Sequence, residues 1–310
     1  MSNLSVVVPN VVAASNLISS SVPENDYPAW VAGTTYAKDA FVISPATHRV
    51  YQSMQAGNSG KDPTDVKNRS GSTVYWLDIG PTNRWAMFDS EVSTQTVVAS
   101  PLTVVLTPGL FTDVYLAGLE ANEVTVTVRD APGGVEIFRY TAPLEGSQPA
   151  DYDEYFWDPF EPLTDILIGG VEQYSSAEVT ITLTSPGVIK CGMLLTGSRR
   201  EIGKSLYGAK VKPRSYSYIK TNDFGVTSIV RRKATTDLSL TASVDLDDAD
   251  RVVKIIQDLL DVVALWIGTD LPKYGSLRVL GLGSGEVTYP NPNQCQLSLD
   301  VMGVISTSSQ

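Results

Sequence analysis

The sequence predicts a mainly β protein: a β-sandwich carrying a small three-stranded aromatic module as an insertion, followed by an α+β domain of one helix on an antiparallel sheet. Three observations carry this. Val, Thr and Ser recur in short runs that Gly and Pro interrupt along the whole chain. Stretches such as Val124-Thr-Val-Thr-Val alternate apolar with polar residues, as a strand with one buried face requires. A single stretch, after Asp247, repeats apolar residues at helical spacing.

Taken in order, residues 1–24 hold two apolar runs, Leu4 to Val8 ahead of Pro9 and a second ending in Ser19-Ser20-Ser21, expected as strands that join the sandwich. Residues 25–82 concentrate aromatics (Trp30, Tyr36, Tyr51, Tyr75, Trp76) between turn residues, which suits a small module with little core of its own. In residues 83–200 the strand candidates are Thr94 to Ala99, Leu102 to Leu106, Asp113 to Leu119, Val124 to Asp130 and Glu178 to Leu183. The turn Ala131-Pro132-Gly133-Gly134 leads into Val135 to Tyr140 and makes a hairpin. Residues 201–310 open with strands at Ser215 to Lys220, Val226 to Val230 and Leu238 to Val244. A helix is then expected, capped by Asp247, with Asp250 in its first turn, an apolar face of Val253, Ile256, Leu260 and Val263, and a stop at Gly268. Returning strands follow at Leu277 to Leu280, Glu286 to Tyr289 and Gln294 to Met302.

The 310 residues carry 23 Lys and Arg against 34 Asp and Glu, a net charge of -11 that repels phosphate backbones and anionic membranes. No nucleic-acid or membrane partner is therefore expected, and no run is long enough to span a bilayer. Cys191 and Cys295 are far apart with no Cys or His beside them, and His48 is the sole histidine, so no metal site, cofactor or catalytic triad is expected. The opening Met1-Ser-Asn-Leu lacks the basic start of a signal peptide, which leads us to expect a chain made and kept in the cytoplasm unless carried out by something else.

The stretch from Tyr27 to Val42 (Trp30, Gly33, Tyr36, Val42), then Val50-Tyr51-Gln52-Ser53 and the closing Trp76, resembles the small chitin-binding modules of secreted bacterial chitinases. Their pattern is W-x-x-G-x-x-Y-x-x-G-D-x-V, then V-Y-x-C/S, then W; Ala37-Lys38-Asp39-Ala40 departs from it by lacking the glycine before the aspartate. The resemblance implies glycan binding by Trp30, Tyr36, Tyr51 and Trp76, whose flat faces suit pyranose rings. The same aromatics equally suit the core of so small a unit. Both readings stand at this point. The wider stretch, from Val22 to Trp30 and from Trp76 through Asn83-Arg-Trp-Ala-Met-Phe-Asp89, resembles a family of tailed-bacteriophage and prophage virion proteins with a chitin-module-like insertion ahead of a sandwich. That implies a tail or baseplate structural protein, located in the virion tail after assembly in the host cytoplasm. On the residues alone, Asn83 to Asp89 reads as a linker strand whose Trp85, Met87 and Phe88 plug the seam between module and sandwich.

Carboxylates crowd in one place, Asp151 to Glu161, where Asp153, Glu154 and Asp158 lie beside Trp157. A glycosidase needs two carboxylates at set separation, one with a raised pKa, and crowding in sequence is not that geometry, so an exposed loop is expected and no catalytic residue is assigned. From Arg199 to Lys233 the chain holds ten bases (Arg199, Arg200, Lys204, Lys210, Lys212, Arg214, Lys220, Arg231, Arg232, Lys233) against two acids, a local charge of +8 that leaves -19 for the remainder. Such polarity orients stacked copies of one subunit or seats it on an acidic neighbour. The expected function is a non-enzymatic virion protein forming a ring of six or three copies that connects tail or baseplate components, with the basic stretch as its interface. The alternative is a receptor-binding protein that grips host glycan through the aromatic module.

Overall fold

The computed structural model describes residues 3–146, 162–221, 224–225, 227–230, 234–271, 274–292 and 294–304. It is mainly β, with large antiparallel sheets and one α-helix among the described residues. A five-stranded sheet runs in the order Glu136–Pro143, Glu123–Arg129, Glu178–Thr184, Leu102–Leu106, Leu17–Ser20. The alternation read in sequence sets its buried face: Val124, Val126 and Val128 beside Val179, Ile181 and Leu183 and beside Leu102, Val104 and Leu106. They pack on Val114, Leu116, Ile168 and Leu194 of a second sheet, which makes the sandwich.

That second sheet has nine strands, in the order Asp165–Ile168, Asp113–Ala117, Met193–Ser205, Asn3–Pro9, Ala264–Ile267, Arg278–Asn291, Gln294–Gly303, Ala234–Asp245, Lys210–Ser215. Met193–Ser205 also pairs with Ala234–Asp245 through Lys204 opposite Ser243 and Ser205 opposite Ala242. Six strands thereby close into a barrel, whose core of Leu4, Val6, Leu240, Trp266, Leu297 and neighbours is sealed by Val252, Ile255 and Ile256 of the helix Ala249–Asp258 and by Leu259 at its C-cap. Residue 200 lies inside the 13-residue strand Met193–Ser205, so the stretches 83–200 and 201–310 share one sheet.

Several expectations need correction. Of the two N-terminal strands, Leu17–Ser20 pairs within the five-stranded sheet, but Asn3–Pro9 sits in the barrel between Met193–Ser205 and Ala264–Ile267. The helix ends at Asp258, with Asp248 rather than Asp247 at its N-cap, and Leu260 is exposed. Beyond it, Ala264–Ile267 is a strand, and Gly268 ends that strand instead of the helix. Ala264, Leu265, Trp266 and Ile267 are all buried, because Trp266 faces the barrel core while Leu265 and Ile267 join Val7, Tyr115 and Leu280 in a separate cluster on the other side. A strand covered on both faces loses its period of two, which is why its run of apolar residues reads as helix. Ser215 to Lys220 is two strands, Lys210–Ser215 ending and Tyr218–Thr221 beginning within it.

The expected strands at 277–280 and 286–289 are one strand, Arg278–Asn291. Gly281, Gly283 and Gly285 between them are spacing devices that face inward. A Cβ on Gly283 would lie 2.2 Å from the Trp266 ring, and one on Gly285 would press on Leu297 and Ile256. The indole lies flat enough against this strand for its Nε1 to donate to the Gly281 carbonyl at 3.2 Å. Gly283→Ala is therefore expected to destabilise the barrel by about 1–3 kcal/mol through overpacking, read as a lower urea midpoint with altered Trp fluorescence.

The aromatic module interrupts the chain between Leu17–Ser20 and Leu102–Leu106, which are hydrogen-bonded neighbours. Its strands Phe41–Ser44, Arg49–Ser53 and Trp76–Pro81 form a three-stranded sheet, flanked by the pair Thr35–Tyr36 and Asn58–Ser59.

Candidate functional site

Within the module, the four aromatics picked out as sugar ligands divide. Trp76 and Tyr51 are fully buried and, with Val42, make the module's core. The indole Nε1 of Trp76 donates to the Lys61 carbonyl at 2.7 Å, and Tyr36 meets the Trp76 ring edge-on at 5.3 Å. Trp30 and Tyr36 pack against this core half-buried, and the Tyr36 hydroxyl accepts from the Val31 amide at 2.7 Å. As a glycan platform Trp76 and Tyr51 are thus corrected: a ring with no exposed face cannot stack on a sugar. The module's departure from the chitin-binding pattern also has a physical reading. Counted from Trp30 to Val42, the pattern's glycine falls on Asp39 and its aspartate on Ala40, and Asp39 adopts φ +66°, a left-handed conformation that Asp tolerates better than most residues.

A polar latch joins module and sandwich. Glu24, ahead of the module, lies 3.0 Å from His48 Nδ1, accepts from the Thr82 hydroxyl at 2.9 Å and pairs with Arg84 at 3.8 Å. His48 stacks on Trp85 at 4.2 Å, and Arg84 Nε donates to the Val22 carbonyl at 2.7 Å. Asn83 is held like a strand partner, donating to the Val97 carbonyl and accepting from the Val97 amide. Asn83 to Asp89 is therefore a turn with the 3-10 helix Ala86–Phe88, not a strand, although Met87 and Phe88 do plug into the sandwich core. The sole histidine is spent on this seam.

The basic stretch does not form one face. Arg199 is half-buried: its Nη2 lies 2.5 Å from Asp113 Oδ1 and its Nη1 2.6 Å from the exposed Asp270, with Asp113 itself 1% exposed. Its charge is engaged within the chain, tying the sandwich strand to the loop after Ala264–Ile267. Arg214 is paired with Asp237 at 3.2 Å and lies over the Tyr216 ring. Arg200, Lys204, Lys210, Lys212 and Lys220 are exposed. Lys204 lines a cleft of about 480 Å³ at the other end of the barrel from Lys212. Arg231, Arg232 and Lys233 lie outside the described residues, as does the acidic stretch from Asp151 to Glu161.

Sequence reading expected strands at Ser215 to Lys220 and Val226 to Val230; what it missed is that they pair with each other as an exposed ribbon. Tyr218–Thr221 pairs with Thr227–Val230 in a sheet of two strands, and all eight residues are exposed. Register places Ile219 opposite Ile229 on one face and Tyr218 opposite Val230 on the other. Among the described residues neither face has a layer against it, and the bare succession Tyr-Ile and Ile-Val, without polar alternation, was the available signal.

Among the described residues no group of three or more His, Cys, Asp or Glu side chains could hold a metal, and no helix is long and apolar enough to cross a membrane. Burial pushes the Cys191 thiol up to about 12, which suits packing rather than nucleophilic chemistry. Burial also raises the Asp165 carboxyl, and burial with the Asp165 charge raises Tyr115 well above the phenol range; their oxygens are 3.5 Å apart. Neither residue lines the cleft beside Lys204. No family model, curated protein or solved structure matches the chain.

Proposed function

We propose that this chain is a non-enzymatic structural subunit of a bacteriophage tail or baseplate, which assembles with copies of itself, six or three, into a ring joining other tail components. The observation that carries this reading is the two-stranded ribbon: two exposed apolar pairs, one on each face, above a basic strand. An isolated two-stranded hairpin is marginal in water, so exposed apolar faces on it favour an assembly contact. The resemblance of Trp76 to Asp89 to phage virion proteins supplies the tail and baseplate context. The module, latched to the sandwich through Glu24 and Arg84, serves as a rigid outer lobe.

The test is where the chain sits. Antibody or gold label against it should decorate the tail or baseplate of purified phage particles as a symmetric ring, and particles without label would overturn the reading. The alternative, a receptor-binding protein, rests on Trp30 and Tyr36, which keep part of their ring surface. Tight binding of chito-oligosaccharide, lost in Trp30→Ala at unchanged fold, would move the conclusion to it.

A further inference from the structure

The ribbon and its receiving surface are at opposite ends of one strand. Ala234–Asp245 follows the ribbon directly and runs twelve residues, roughly 36 Å at about 3.3 Å per residue, to the cleft beside Lys204. Glu201, Asp245 and Asp248 line that cleft with Lys204 and Arg251, and exposed Asp247 and Asp250 follow in the turn and first helical turn next to it in the chain. Arg251 is already tied to Asp248 at 2.9 Å and to the Glu201 carbonyl, so the carboxylates of Asp245, Asp247 and Asp250 dominate the rim. Leu246 and Tyr289 expose apolar surface beside them. Toward the near end the signs reverse: residues 210–233 carry seven bases and one acid in sequence, exposed Lys220 lies within the ribbon beside Ile219, and exposed Lys212 stands opposite Asp237 on the strand that leads to it.

Within one copy these two ends are a barrel length apart. We infer that the basic, apolar ribbon of one copy docks head-to-tail on the acidic Asp245 to Asp250 end of the next copy's barrel. The occupant is a second copy because the complementary charge and the complementary apolar groups are both supplied by this same chain. A contact between two different surfaces is heterologous, and it closes into a ring where the rotation permits. The inference rests on the ring reading above and specifies which surfaces meet.

The experiment uses the full chain and sedimentation velocity at low and high salt. Wild type should assemble, and salt should weaken the assembly because exposed charges are screened. A ribbon variant, Ile219→Ser with Ile229→Ser, and an end variant, Asp245→Lys with Asp247→Lys, should each assemble at least about tenfold more weakly. All four positions are exposed, so both variants should melt as wild type does; should the ribbon variant lose its local fold, Lys212→Glu with Lys220→Glu takes its place. Mixing the ribbon and end variants is decisive. Each retains the surface the other lacks, so an equimolar mixture should give a one-to-one dimer and nothing larger. Assembly of either variant at wild-type strength, a mixture that stays monomeric, or a wild type that is monomeric at every concentration would overturn the inference. A monomeric chain that still labels a ring on particles would leave the tail reading standing and remove only the head-to-tail contact.

Discussion

Arg199→Ala should lower the unfolding free energy by about 3–5 kcal/mol, among the largest effects of any single polar substitution in this chain. The reason is the carboxylate it leaves behind. Asp113 is 1% exposed and is held by Arg199 through both Nε and Nη2, with the neighbouring Thr112 hydroxyl at 2.6 Å as its other partner. Removing the guanidinium strands a charge that water cannot reach. Replacing both members with apolar residues, Arg199→Leu with Asp113→Leu, should recover most of the loss, because the pair itself contributes little beyond offsetting its own desolvation. Arg200→Ala, one residue on and exposed, should change stability by less than about 0.5 kcal/mol. Urea midpoints of the four proteins decide the matter. A shift in Arg199→Ala no larger than in Arg200→Ala would return Arg199 to the solvent-facing role that its place in a basic stretch suggested.

That contrast marks how far sequence reading reached. Where a strand buries one face, as Val124 to Val128 does, alternation gave element, face and sheet together. Where both faces are buried, as at Ala264–Ile267, the same chemistry left no period to read, and the barrel it completes went unseen. Barrel closure itself depends on a pairing between residues 204–205 and 242–243, about forty positions apart, which no local pattern encodes. Charge was legible as a sum and illegible as a surface. Arg199, Arg214 and Lys204 share a stretch of sixteen residues, yet one is paired with the buried Asp113, one is paired with Asp237 and one lines the far cleft. The ribbon's strands were legible, at Ser215 to Lys220 and Val226 to Val230, but their exposure was not, because exposed apolar residues look like core residues in sequence.

Trp76→Ala should unfold the aromatic module while the sandwich and barrel remain intact. The side chain is fully buried, and large-to-small replacement of such a Trp costs about 3–5 kcal/mol. The module has little with which to absorb it: its buried apolar core is Val42, Tyr51 and Trp76, with Trp30, Tyr36 and Tyr75 only partly buried around them. The substitution also removes the edge contact to Tyr36 and orphans the Lys61 carbonyl that anchors the segment between Asn58–Ser59 and Trp76–Pro81. The sandwich core is a separate cluster, reached from the module side by Met87 and Phe88, which do not depend on Trp76. Limited trypsin digestion should therefore cut the variant first at Lys61 and Arg69, positions that the native module holds through the Lys61–Tyr75 ring contact and the Arg69–Asp78 pair. The barrel's melting transition should stay where it is in wild type. Trp30→Ala, truncating a ring that is only half-buried, should leave the module resistant to the same digestion. Cleavage spread over the whole chain would mean that the module and the sandwich unfold as one unit, with the Glu24 latch transmitting the loss; an uncut Trp76→Ala chain would mean that this indole does not hold the module together.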